Sequence, residues 1–196
     1  RAIFAAVPDV HILVIDDNSP DGTAGVVRGL CGEFENLRLL WRPRKEGLGK
    51  AYLDAFGHVL AEGGFEAVLT MDADFSHKPA DVPRLITALD EGADFAIGSR
   101  YVPGGKIPDD WSFLRKMNSK WGNVFARYVA GMYKVKDCTA GFRAIRAPLI
   151  NKIDPDTLKV KGYAFQISLL HEAILNHANV KEVPVEFVDR TRGETK

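Results

Sequence analysis

The chain has 196 residues, enough for one domain with a substantial core, and its 26 Lys and Arg balance its 26 Asp and Glu. A formal net charge of zero excludes a general nucleic-acid binder, although local basic clusters stay open. Cys31 and Cys138 lie far apart, with no CxxC pair and no His at zinc spacing, which excludes a structural zinc and a disulfide framework and suits the cytosol.

In chain order, residues 1–8 read as the tail of a helix, with Ile3, Phe4 and Val7 on one face before Pro8, so the chain begins in mid-element. Val10 to Ile15 is a short apolar run that suits a buried strand, and Asp16-Asp17-Asn18-Ser19-Pro20-Asp21-Gly22-Thr23 turns the chain into a helix reaching about Phe34. Leu37 to Trp41 predicts a second strand. A helix starting near Gly47 carries Ala51, Tyr52, Ala55, Phe56, Val59 and Leu60 at three-and-four spacing until Gly63-Gly64. Ala67 to Met71 predicts a buried, central strand. Pro79 to Asp90 predicts a helix with Val82, Leu85, Ile86 and Leu89 on one stripe, and Ala93 to Ile97 another strand.

After a Pro-Gly loop at 103–108, a long helix is expected from about Trp111 to Tyr133, then a strand within Thr139–Arg146, a helix over Tyr163–His177 and a strand over Val180–Val188. Pro184 marks that last strand as an edge or a bulge. No apolar run reaches the roughly eighteen residues needed to cross a bilayer, and no signal peptide is recognisable. Strands alternating with helices predict a single α/β domain over 1–196 with a mostly parallel central sheet flanked by helices. Ligands bind such sheets beyond the carboxyl ends of the strands.

Three polar clusters fall at those ends: Asp16-Asp17, Asp72-Ala73-Asp74 and Ser99-Arg100. Two carboxylates one residue apart repel unless a cation sits between them, and a hard divalent ion that keeps most of its water does this well. A loop and helix cap is the plainer account of the same pair. Gly47-Leu48-Gly49-Lys50 is not a phosphate loop, because Arg44 stands where the first glycine belongs and Ala51 where Ser or Thr belongs. A haloacid-dehalogenase-type reading of Asp72 and Asp74 also fits poorly. Arg100, Arg115 near Ser119, Arg143, Lys161, Arg190, Arg192 and Lys196 form a basic set able to hold phosphate oxygens. His77, beside the acidic pair, reads as a solvent-facing or capping side chain rather than a participant.

Six blocks in order, Val14 to Thr23, Met71 to Pro79, Gly98 to Gly105, Asp137 to Arg143, Lys161 to Gln166 and Glu182 to Arg190, resemble the family-2 glycosyltransferases of the dolichyl-phosphate or polyprenyl-phosphate mannosyltransferase type. The resemblance implies a GT-A fold and a metal-dependent, inverting enzyme that moves mannose from GDP-mannose to a polyprenyl phosphate, giving a β-linked lipid-phosphate sugar. It implies that Ile15, Asp16 and Asp17 meet the nucleoside, and that Asp72, Ala73 and Asp74 meet the ribose and diphosphate. Asp74 would be the foremost ligand of Mg²⁺ or Mn²⁺, with Asp72 and Ser76 as further candidates. Arg100, Arg115 and Ser119 would receive the acceptor phosphate, and Lys161, Arg190 and Lys196 would engage the donor diphosphate; Asp74 and Arg100 are the catalytic candidates.

Two departures stand out. The family's first strand and its Pro-x-Tyr-Asn-Glu-type segment are not found before Arg1, and Ser168 stands where many relatives carry an acidic residue. A UDP-glucose-type donor and a nucleotide-sugar-binding module without catalysis remain open as alternatives. A lipid acceptor implies a location at the cytoplasmic face of a membrane. Trp111, Phe113, Leu114, Trp121, Phe125 and Tyr128, beside Arg115, Lys116, Lys120 and Arg127, would either lie on that membrane or pack on the sheet.

Overall fold

The computed structural model describes residues 1–108, 111–158, 160, 162 and 164–189; within the helix Phe113–Val129, the side chains of 113, 115, 116 and 118 lie outside that description. Among the described residues the strands are β1 (Ile12–Asp16), β2 (Leu37–Trp41), β3 (Ala67–Thr70), β4 (Phe95–Ser99), β5 (Arg143–Arg146) and β6 (Val180–Pro184). The helices are α1 (Ala2–Ala6), α2 (Thr23–Cys31), α3 (Leu48–Glu62), α4 (Val82–Asp90), α5 (Phe113–Val129), α6 (Ala147–Ile150) and α7 (Ala164–Leu175). The α/β architecture is the one the alternation of apolar runs predicts, with most bounds within two or three residues.

β1 and β2 form one parallel pair, and the other four strands form a sheet in the order β3-β5-β4-β6. The sheet is mixed, because β5 enters antiparallel between β3 and β4, while β4 and β6 run parallel. β3 is therefore an edge strand of the four-stranded sheet and half-buried at every position, not the buried central strand its composition suggests. β4, flanked on both sides, is buried throughout. The last strand ends at Pro184 on the sheet edge, and past it the Val185 N–H still donates to the Ser99 carbonyl at 3.0 Å and Lys106 bridges to Glu186.

Side-chain alternation in β4 and β5 divides the core in two. Phe95, Ile97 and Ile145 face one side, where they pack with Phe56 of α3 and Phe165, Leu169 and Leu170 of α7. Ala96 and Ala144 face the other, against Val82, Leu85 and Leu89 of α4 with Phe142, Val183 and Val185. Each large side chain so buried contributes about 1.5–3 kcal/mol. Backbone approach fixes two glycines. A Cβ on Gly49 would stand 2.9 Å from the Phe165 ring, and one on Gly105 would stand 2.5 Å from the Ser99 carbonyl oxygen, so α3 seats on α7 and the 103–106 loop folds onto the end of β4.

Arg143 belongs to this scaffold, contrary to its place in the sequence-derived basic set. It has no solvent exposure, and its Nε, Nη1 and Nη2 donate to the carbonyls of Ala140 (2.7 Å), Gln166 (2.7 Å) and Cys138 (2.8 Å). The guanidinium also lies 5.3 Å from the Phe95 ring centre. Burial lowers its pKa to about 10, so it stays charged at neutral pH. Arg143→Met removes three hydrogen bonds to buried carbonyls, and an unfolding titration is expected to show a loss of about 3 kcal/mol or more.

Candidate active site

The parallel register of β1 and β2 pairs Asp16 with Trp41, so one step further on Asp17 stands beside Arg42. Asp16 is buried and accepts the Ser19 N–H at 3.2 Å, which closes the turn after the strand. The Asp17 Oδ1 accepts from Arg42 Nη1 at 2.7 Å. Ile15, an apolar residue at a strand end, is 38% exposed and lies on the open side.

The loop after β3 is tied down at several points. The Asp72 N–H donates to His77 Nδ1 (3.0 Å), the Ser76 N–H to Asp74 Oδ1 (3.0 Å), and the Val188 N–H to the Ser76 carbonyl (3.2 Å). Ser76 and His77 are buried, whereas the Asp72 side chain is 55% exposed. His77 is thus not solvent-facing. Its ring stacks on Phe142 at 4.9 Å and meets Phe187 edge-on at 5.6 Å. Burial lowers its pKa, with Arg100 adding to the shift and Asp72 opposing it, and an Nδ1 that accepts a hydrogen bond places the ring proton on Nε2. Phe75 adopts a left-handed φ of 62° with 65% of its surface exposed, which is uncommon for a bulky residue and marks a sharp reversal beside Asp74.

Arg100 follows β4 and closes on Asp137. The Arg100 backbone N–H (3.0 Å) and Nε (2.8 Å) donate to Asp137 Oδ2, Nη2 donates to Oδ1 (2.8 Å), and Nη2 also reaches Thr139 Oγ1 (3.0 Å). Asp137 has no solvent exposure. Burial pushes its pKa up, but the Arg100 hydrogen bonds and charge, with Arg143 behind them, more than offset this and hold it below the ordinary 3.8. The Arg100 guanidinium carbon lies 5.6 Å from the Phe187 ring centre, so Phe187 is shared between Arg100 and His77, and the basic and acidic clusters meet there.

Ser119 lies on α5 and shares a 2.7 Å hydrogen bond with the Tyr101 hydroxyl, one residue beyond Arg100. Arg115 is on the same helix, one turn earlier, and its side chain lies outside the described residues. Lys161, Arg190, Arg192 and Lys196 also lie outside them. Helix α3 links the remaining pieces. Asp54 faces Arg42, and Tyr52, two residues earlier, lies near Asp72, whose charge adds to burial in raising the phenol pKa.

Arg42, Asp137, Thr139 and His77 support the candidate site from behind, and sequence reading passes over or undervalues them. Asp137 and Thr139 do fall within a block that carries the family resemblance, which is the one available signal. Among the described residues no group of three His, Cys, Asp or Glu side chains is placed to hold a metal ion, so Asp72 and Asp74 stand as a pair.

A carboxylate loop at the end of β3 and an arginine beyond β4 thus share one end of an α/β sheet, the end at which such folds bind their ligands. The Glycosyl transferase family 2 model matches residues 2–154, and the chain belongs to that family. It is 44% identical, over 99% of its length and 72% of the relative's, to the polyprenol monophosphomannose synthase of Mycolicibacterium smegmatis. It is 42% identical, over 97% of its length and 77% of the relative's, to the undecaprenyl-phosphate mannosyltransferase of Micrococcus luteus. Among solved structures it resembles glucosyl-3-phosphoglycerate synthase of Mycobacterium tuberculosis in complex with Mn²⁺, UDP and glucosyl-3-phosphoglycerate. That match has a TM-score of 0.69 and 17% identity and covers 98% of this chain and 66% of that one, slightly less than two thirds. The sequence resemblance to the polyprenyl-phosphate type and the α/β fold are both borne out.

Asp137 also makes a prediction about acid stability. Its folded pKa is depressed, so its stabilising contribution is complete above 3.8 and is lost as pH falls through the lower folded value. Asp137→Asn is expected to cost about 3 kcal/mol at neutral pH by leaving Arg100 uncompensated, and to flatten the acid limb of melting temperature against pH.

Proposed function

We propose that the chain, over residues 1–196, is the catalytic domain of a polyprenyl-phosphate mannosyltransferase. It transfers mannose from GDP-mannose to a polyprenyl, dolichyl-type phosphate with inversion at the anomeric carbon. One juxtaposition carries the reading: the Asp72–Asp74 loop and the Asp137-held Arg100 meet around Phe187, so groups suited to a nucleoside diphosphate and to a phosphate share one end of the sheet. The likeness to two bacterial polyprenyl-phosphate mannosyltransferases supports the choice of sugar and acceptor.

In this reading Ile15 and Asp17 contact the nucleoside, with the buried Asp16 beside them, and Asp72, Ala73 and Asp74 meet the ribose and diphosphate. Asp74 and Asp72, with Ser76 behind them, hold Mg²⁺ or Mn²⁺. The donor set fits such an ion: exposed carboxylate oxygen on a loop pinned by its own backbone, leaving most of the coordination to water and diphosphate. When bound, the ion offsets charge on the departing nucleoside diphosphate. Lys161, Arg190 and Lys196 add positive charge to the donor diphosphate, while Arg100, Arg115 and Ser119 orient the acceptor phosphate. That phosphate is already an anion at neutral pH, so the reaction requires no strong general base. His77 fits a supporting role, since its Nδ1 accepts the Asp72 N–H.

A lipid acceptor together with a nucleotide-sugar donor supports a location at the cytoplasmic face of a membrane. Leu114, Met117, Trp121, Phe125 and Tyr128 recur every three or four residues along α5 and are 37–64% exposed, while Asn123 and Ala126 face inward. This favours the membrane-facing reading for these residues, with Lys120 exposed beside them, whereas Trp111 is buried against Phe187 and Arg127 turns back to the Tyr133 carbonyl. Among the described residues no helix is long and apolar enough to cross a bilayer.

Asp74→Ala is expected to lower Mn²⁺-supported transfer to a short polyprenyl phosphate by at least about a hundredfold while costing less than about 1 kcal/mol of stability. Near-normal turnover of that variant, or equal use of UDP-glucose across a donor panel, overturns the assignment. Separately, Trp121→Glu with Phe125→Glu is expected to abolish co-sedimentation with anionic liposomes at an unchanged melting temperature. Wild-type protein that fails to pellet contradicts the peripheral location.

A further inference from the structure

We propose that Arg42 is a positioning residue for the nucleotide end of the site, setting donor affinity by fixing the Asp17 carboxylate; this rests on the donor-binding reading of Asp17. Arg42 stands one residue past β2, and its N–H donates to the Asp16 carbonyl at 2.9 Å, carrying the parallel ladder one step beyond the strands. Its guanidinium then meets three carboxylates from three segments. Nη1 reaches Asp17 Oδ1 at 2.7 Å, Nη2 reaches Glu46 Oε2 at 3.3 Å, and Nε pairs with Asp54 Oδ2 at 3.0 Å. Lys50 holds the other Asp54 oxygen at 2.6 Å.

Each guanidinium nitrogen serves a different carboxylate, so Arg42 is a junction between the β1 turn, the loop entering α3 and α3 itself. Its side chain is only 6% exposed, whereas Asp17 keeps 22%, Asp54 30% and Glu46 57%. The cation is buried and its partners reach toward solvent, an arrangement that orients the carboxylates more than it fills the core. With Oδ1 committed to Arg42, the second oxygen of Asp17 presents a fixed acceptor to N–H or O–H groups of a nucleoside. Buried ion pairs are weak contributors to stability compared with apolar packing, whereas a fork that fixes a carboxylate serves recognition directly. The three-anion surround also explains arginine here: a lysine ammonium has no planar fork with which to serve three partners in fixed directions.

The test titrates GDP and UDP calorimetrically into the whole chain with Mn²⁺, alongside donor KM, acceptor KM, kcat and melting temperature. Arg42→Met is expected to weaken GDP by about tenfold or more and Arg42→Lys by several-fold, with acceptor KM and the kcat at saturating donor within about twofold. Asp54→Asn, which touches only the far side of the junction, is expected to weaken GDP in the same direction, and it keeps the test available if Arg42→Met does not fold. Because Arg42 acts through Asp17, Arg42→Met added to Asp17→Ala is expected to cost little beyond Asp17→Ala alone. Fully additive losses overturn the inference, as do unchanged GDP affinities in Arg42→Lys and Asp54→Asn when Asp17→Ala weakens binding. Unchanged GDP affinity in Asp17→Ala instead overturns the donor role of Asp17 itself.

Discussion

A carboxylate with no access to water is costly unless its charge and lone pairs are met, and Asp137 meets that cost with the backbone N–H, Nε and Nη2 of Arg100. Its own N–H and that of Lys136 donate to the Glu182 carboxylate on β6, so the approach to β5 is fastened to both β4 and β6. The pairing sets the direction of the Arg100 guanidinium in advance of any ligand. A cation held in place loses less on binding a phosphate than one that must be ordered first.

The two ends of the site differ in sign. Around Asp16, Asp17 and Arg42 the carboxylates outnumber the cations, whereas at Arg100 the partner carboxylate, Asp137, has been drawn inward and neutralised. Helix α3 spans the acidic side, with Asp54 toward Arg42 and Tyr52 toward the Asp72 loop and Phe165. A shift of this helix would therefore be felt in the turn after β1 and in the loop after β3 together.

The strands were readable because apolar runs of four or five residues ended in polar turns, and the Asp72–Asp74 pair was readable because it stood at such an end. Sheet order was not. Local sequence carries no information on which strand lies beside β3, so a half-buried edge strand looked central. Arg42, Asp137 and His77 were obscured for a related reason: a charged or polar residue reads as surface until cross-strand register supplies its partner. Arg143 is misread the same way, as one of a set of basic residues able to hold phosphate, although Phe142 and Arg143 are both fully buried. The α5 period announced an amphipathic helix but could not say which face meets the protein. Asn123, bonded to the Cys138 N–H at 2.7 Å, decides that.

The Arg143 guanidinium gathers carbonyls from the turn before β5 and from the first turn of α7. Partial detachment of α7 would leave a charge in an apolar interior with one of its acceptors gone, which opposes opening of α7 apart from the rest of the core. The region is therefore expected to open as one unit, with its amide hydrogens among the slower ones to exchange. Whatever mobility turnover demands must come from the exposed loops and the α5 side of the molecule, leaving the floor beneath the site rigid.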